Sequence, residues 1–198
     1  MTQPKTLLEL AGADLTPARV SAACLVLIDM QNEYLSGPIA VSGAKEAVAV
    51  AGRLLSAARK VGAPIVHVAH RGRAGGLFDR DHARGQIVAE LAPAPGEVVV
   101  EKTLPNSFAG TELQAHLAAL GRKELILAGF MTHMCVSSTA RAALDHGYRV
   151  TIAADACATR DLPNGLGGAI SARTVHDVAL AELADRFAIV AGDSAALV

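Results

Sequence analysis

Tryptophan is absent, and aromatic residues make up only 3% of the 198 residues. A core without large rings has to be built from Ala, Val, Leu and Ile, which lets helices approach a sheet closely. The chain also lacks an excess of either charge, with a formal net charge of -1. That argues against nucleic acid or an anionic membrane as its main partner. No apolar run approaches the roughly 20 residues that a membrane-spanning helix needs. The first ten residues carry Glu9 inside their only apolar patch, unlike a signal peptide. Cysteines number three, an odd count that does not suggest a disulfide framework. A reducing cytoplasm is the expected compartment.

What is present is a 52% hydrophobic composition, enough for a real core in a single domain spanning 1–198, with 1–20 as a lead-in. Ala-rich helices at this hydrophobicity predict a homo-oligomer, dimer or tetramer. Six short apolar runs alternate with helical segments. They are Ala23–Ile28, Pro64–Ala69, Glu97–Val100, Leu125–Ala128, Arg149–Ala154 and Phe187–Ala191. Helical spacing falls over Ala44–Val61, from Gly110 or Thr111 to Leu120, after Cys135 as far as Gly147, and over Ile170–Leu183. This alternation is the signature of an α/β fold with a mainly parallel sheet. The Gly-rich stretch Asp161–Gly168 reads as a flexible connector.

The residues with chemistry cluster at the carboxyl ends of the runs, the edge where open α/β sheets bind ligands. Asp29 follows the first, and Gln31 lies in the loop behind it. His70, Arg71 and Arg73 follow the second, ahead of a charged loop, Gly72–Gly85. Lys102 lies just past the third. Cys135 stands where the fourth run passes into a helix, and its thiolate should be stabilised by the unpaired N–H groups there. Each taken alone has a plainer role: a strand-end cap for Asp29, a solvated charge for Lys102, a buried filler for Cys135. Together they make a coherent set. Cys135 is the nucleophile, Asp29 takes and returns its proton, and Lys102 favours the ionised forms. The turn Gly129–Cys135 can aim N–H groups at an oxyanion. Cys24 reads as core, and Cys157 as core or loop packing. His133 is either exposed or near substrate. Phe108 either lines the pocket or packs in the core.

Three pieces carry a resemblance: Leu-Val-Leu-Ile-Asp29-Met-Gln31-Asn32, then Lys102 with Asn-Ser107-Phe108-Ala-Gly-Thr111-Glu-Leu, then Gly129-Phe-Met-Thr132-His-Met-Cys135-Val136. In this order the sequence resembles the isochorismatase-like cysteine hydrolases, a superfamily that includes nicotinamidases and carbamoylsarcosine and ureidoacrylate amidohydrolases. The resemblance implies a three-layer α-β-α fold with a six-stranded sheet of order 3-2-1-4-5-6. It implies an Asp29–Lys102–Cys135 triad, a cis peptide at Phe130–Met131, and an oxyanion hole from the N–H groups of Met131 and Cys135. Substrate contacts are expected from Gln31, His70, Arg71, Phe108 and Thr132. The Asp-x-His metal pattern of nicotinamidases is missing from His67-Val-Ala-His70-Arg71-Gly-Arg73, so no metal or other cofactor is expected, and His67 belongs to its strand. The isochorismate-cleaving members lack the cysteine. The expected activity is hydrolysis of a C–N bond in a small amide, ureide or carbamoyl compound. The alternatives are a non-amide substrate or a non-catalytic α/β binding protein.

Overall fold

A computed structural model describes residues 3–198; the first two residues of the expected lead-in lie outside the described residues. After a one-turn helix α1 (Leu7–Leu10), the chain enters strand β1 (Cys24–Ile28), buried at every position. The short helix α2 (Glu33–Ser36) and the long helix α3 (Ala44–Val61) follow, then β2 (Ile65–His70). A long loop leads to β3 (Val98–Lys102), α4 (Leu113–Leu120) and β4 (Glu124–Phe130). Next come α5 (Ser137–Asp145), β5 (Arg149–Ala158), a two-residue hairpin β6 (Leu162–Pro163) and β7 (Ala169–Ile170), α6 (Ala172–Arg186) and β8 (Ile189–Ala191).

The main sheet has six parallel strands in the order β3-β2-β1-β4-β5-β8. This is the expected order, with β8 as the sixth strand because the hairpin intervenes. That hairpin corrects the reading of Asp161–Gly168 as a connector without structure. Strand boundaries differ as well. β3 and β2 each run on to include the charged residue thought to follow them, so Lys102 and His70 are strand ends, paired directly in register. β5 continues to Ala158, across a register shift against Leu127 and Gly129 of β4.

The two-residue period of a strand sends alternate side chains into opposite layers. In β1, Leu25 and Leu27 pack with Leu54 and Leu55 of α3, while Cys24, Val26 and Ile28 pack with Leu117 of α4 and Ala140 of α5. Cys24 is thus core, as read. Helix α3 is bounded by left-handed glycines, Gly43 (φ 75°) and Gly62 (φ 67°). Its small residues Ala47, Ala51 and Ala58 are buried, which lets the helix lie close to the sheet in a core poor in rings.

Candidate active site

The strands β1, β3 and β4 end on one rim, and the three residues proposed for chemistry meet there. Asp29 is fully buried and takes a left-handed conformation (φ 50°), which aspartate tolerates better than most residues. Its own N–H donates to the carbonyl of Val68, 2.9 Å away, fixing the turn against β2. Lys102 places Nζ 2.6 Å from Asp29 Oδ2 and 3.3 Å from Cys135 Sγ. A third neighbour, His70 Nδ1, lies 3.4 Å from the same ammonium. Sequence separations of 73 and 33 residues are closed by the parallel topology, not by any local motif.

Cys135 sits in a single π-helical turn, Thr132–Val136, ahead of α5. The peptide bond Phe130–Met131 at the head of this turn is cis. Close approach of β4 to β1 makes Gly129 obligatory: a Cβ there would lie 2.0 Å from the Ile28 carbonyl oxygen, and φ is 137°. The reading of a thiol with a lowered pKa is corrected here. Burial, and then the negative charge of Asp29, push the Cys135 thiol up to about 12, against the pull of Lys102. Cys135 lies inside the fold (3% exposed) rather than at a solvated helix end, so its thiolate loses the hydration that would favour it. Burial likewise raises Asp29 above the usual carboxylate range, with Lys102 opposing.

The residues expected to touch substrate divide. Gln31 is buried, and its amide is spent on main chain. Nε2 donates to the carbonyls of His70 (2.9 Å) and Gly85 (2.7 Å), and Oε1 accepts from the His70 N–H (2.8 Å). In that role it is a strut between the loop after β1 and the end of β2. Phe108 stacks on Tyr148, with centroids 6.2 Å apart, and lies tilted against His146 at 4.7 Å, in the layer of α4 and α5; the core reading applies. Arg71 is half-exposed and paired with Glu101 at 2.5 Å, turned to the surface. Thr132 is buried, with Oγ1 2.9 Å from His176 Nδ1 of α6. His133 is half-buried, with Nδ1 2.6 Å from Thr159 Oγ1, so it too braces the turn. His67 is a buried β2 residue held by Glu97 at 2.8 Å. Cys157 lies inside β5 and, with His176, lines a separate cavity of about 280 Å³.

Sequence reading missed His176, Thr159 and Glu33. Glu33 is a fully buried carboxylate whose Oε2 accepts from the N–H of Phe78 (3.2 Å), with Arg84 Nη1 3.5 Å from Oε1. This ties the loop after β2 to α2. Phe78 then stands against both Tyr34 (5.1 Å) and the His70 ring (5.0 Å) beside the centre. None of these pairings has a sequence signature, because each joins segments far apart in the chain.

The protein belongs to the isochorismatase family: the family's domain model, described as the isochorismatase domain, matches residues 23–194. Its fold is close to a crystal structure of an isochorismatase from Pseudomonas putida KT2440. That match has a TM-score of 0.95 and 49% identity, covering 99% of this chain and 100% of the other. The secreted isochorismatase effector Isc1 of Verticillium dahliae is 40% identical over 177 residues, 89% of this chain and 90% of that protein. The ureidoacrylate amidohydrolase RutB of Variovorax paradoxus is 30% identical over 194 residues, 80% of this chain and 75% of that protein. The chain is therefore an isochorismatase-family hydrolase whose relatives include amidohydrolases. Among the described residues, no helix is long and apolar enough to cross a membrane.

Proposed function

We propose that the protein is a cysteine hydrolase that cleaves a C–N bond in a small amide, ureide or carbamoyl compound. The observation that carries this is Lys102 Nζ lying between Asp29 Oδ2 and Cys135 Sγ, with all three side chains buried. A binding scaffold gains nothing from enclosing a carboxylate, an ammonium and a thiol, since each loses hydration. The likeness to a ureidoacrylate amidohydrolase supports the C–N assignment.

The raised thiol sets the order of events. A thiol near 12 is un-ionised at neutral pH, so it cannot wait as a free thiolate. It has to give up its proton as it attacks. Asp29, itself raised by burial, is a stronger base than an ordinary carboxylate and stands ready to take that proton. The sulfur bonds to the carbonyl carbon, and the N–H groups of Met131 and Cys135 hold the oxyanion. Asp29 then gives its proton to the departing nitrogen as the C–N bond breaks, leaving a thioester on Cys135. Water loses a proton to Asp29, attacks the thioester, and the C–S bond breaks. The proton returns to sulfur. Lys102 offsets the negative charge that alternates between carboxylate and sulfur.

The test is an ammonia-release screen over amides, ureides and carbamoyl compounds, followed by intact mass. Cys135→Ala should abolish turnover, and Asp29→Asn should accumulate an acyl adduct on the enzyme. A second reading, hydrolysis of isochorismate, is favoured by the 40% identity to a protein described as an isochorismatase effector. It predicts turnover of isochorismate that survives Cys135→Ala, which would overturn the covalent mechanism. Three free cysteines fit a reducing compartment as the place of work.

A further inference from the structure

The Lys102 ammonium carries three protons and its side chain is fully buried, so every N–H needs an acceptor from the protein. Asp29 Oδ2 and Cys135 Sγ supply two, at 2.6 and 3.3 Å. We propose that His70 is a positioning residue of the centre: its Nδ1, 3.4 Å from Nζ, accepts the third N–H and so aims the other two at Asp29 and Cys135. This rests on the triad reading above but adds a member that the triad does not contain.

The geometry around the ring is built for this. His70 ends β2 in register with Lys102 at the end of β3, so neighbouring parallel strands present the two side chains side by side. The His70 main chain is clamped at both polar atoms by Gln31, two residues beyond Asp29, with N to Oε1 at 2.8 Å and O to Nε2 at 2.9 Å. The same short segment therefore positions both the carboxylate and the imidazole against the lysine. Phe78 packs on the ring at 5.0 Å and limits its rotation. An ammonium offers only donors, so Nδ1 has to be the unprotonated nitrogen, with the proton on Nε2. The two groups cannot be charged together. In keeping with this, burial first and the Lys102 charge second lower His70 to about 4.

An acceptor at the Nδ1 position is what the lysine requires, not an imidazole as such. The Asn side chain carries its oxygen at nearly that position, while Leu fills the space with no acceptor. The experiment compares iodoacetamide alkylation of Cys135 at pH 8, localised by peptide mass, in wild type, His70→Asn and His70→Leu. Losing an acceptor from a buried cation is expected to slow labelling about tenfold in His70→Leu, with His70→Asn within about threefold of wild type. Equal labelling of His70→Leu and wild type overturns the proposal, and so does a His70→Asn variant as slow as His70→Leu. Alkylation needs no substrate, so its outcome is separate from that of the ammonia-release screen. Should His70→Leu not fold, ¹⁵N shifts of the imidazoles in the wild-type protein decide the matter. A His70 ring protonated at Nε2 alone supports the assignment, and one carrying a proton on Nδ1 overturns it.

Discussion

Replacing Lys102 by Met keeps most of the side-chain volume and removes the cation that faces both Asp29 and Cys135. Asp29 is then a fully buried carboxylate with its 2.6 Å partner gone. Breaking a buried pair from one side typically costs ~3–5 kcal/mol, because a charge is left without compensation. In a chain of this size that corresponds to a fall in Tm of roughly 6–20 °C. The cost depends on pH, and its sign follows from linkage. Burial already holds Asp29 above its usual value, and Lys102 works against that rise, so the variant's Asp29 moves higher still. A carboxyl raised in the folded state contributes stability fully below its unfolded pKa. That contribution is lost as pH rises through the folded value. The gap between wild type and Lys102→Met should therefore be small near pH 4 and widen towards pH 8. Urea unfolding at both pH values measures it. Adding Asp29→Asn to Lys102→Met should recover most of the loss at pH 8, since no buried charge remains. If Lys102→Met is as stable as wild type at pH 8, or if the gap narrows with rising pH, the pair is not a buried ionic pair and the reasoning fails.

Gly129→Ala should cost about 3 kcal/mol or more, because a Cβ would meet the Ile28 carbonyl oxygen at 2.0 Å with φ at 137°; a stability within error of wild type in urea would refute the close approach. His176→Ala removes the partner of Thr132 Oγ1 at 2.9 Å and should lower kcat about tenfold with little change in KM, by loosening the turn that holds Met131 and Cys135. A change confined to KM would place His176 against substrate instead. Dialysis against a strong chelator should leave the rate unchanged, and a reversible loss restored by zinc, iron or manganese would count against metal-independent chemistry. Light scattering at micromolar concentration should give the mass of a dimer or tetramer, and a monomer mass would refute assembly.

The layers were legible because burial imposes a period on sequence. The unbroken run ending at Ile28 could only be a strand covered on both faces, and the helical spacing of Ala44–Val61 fixed α3 to the residue. Strand ends mark the binding rim of a parallel sheet, so Asp29, Lys102 and Cys135 could be singled out with no contact known. Where the apolar signal stops, boundaries were lost. β2 and β3 run on into His70 and Lys102 because their main-chain bonds persist under charged side chains. What a polar group does with its hydrogen bonds was beyond the sequence altogether. Gln31 reads as a substrate contact and Phe108 as either pocket or core; the amide of one bonds the main chain of β2, and the ring of the other stacks on Tyr148. The thiol shows the same division most sharply. A helix start predicts a lowered pKa from local dipoles. Burial is set by the whole fold, acts through the loss of water around the sulfur, and reverses the sign. The sequence by itself determined which residues stand at the rim. Only the tertiary structure decided their charge states and partners, because desolvation and hydrogen-bond supply depend on neighbours brought from distant segments.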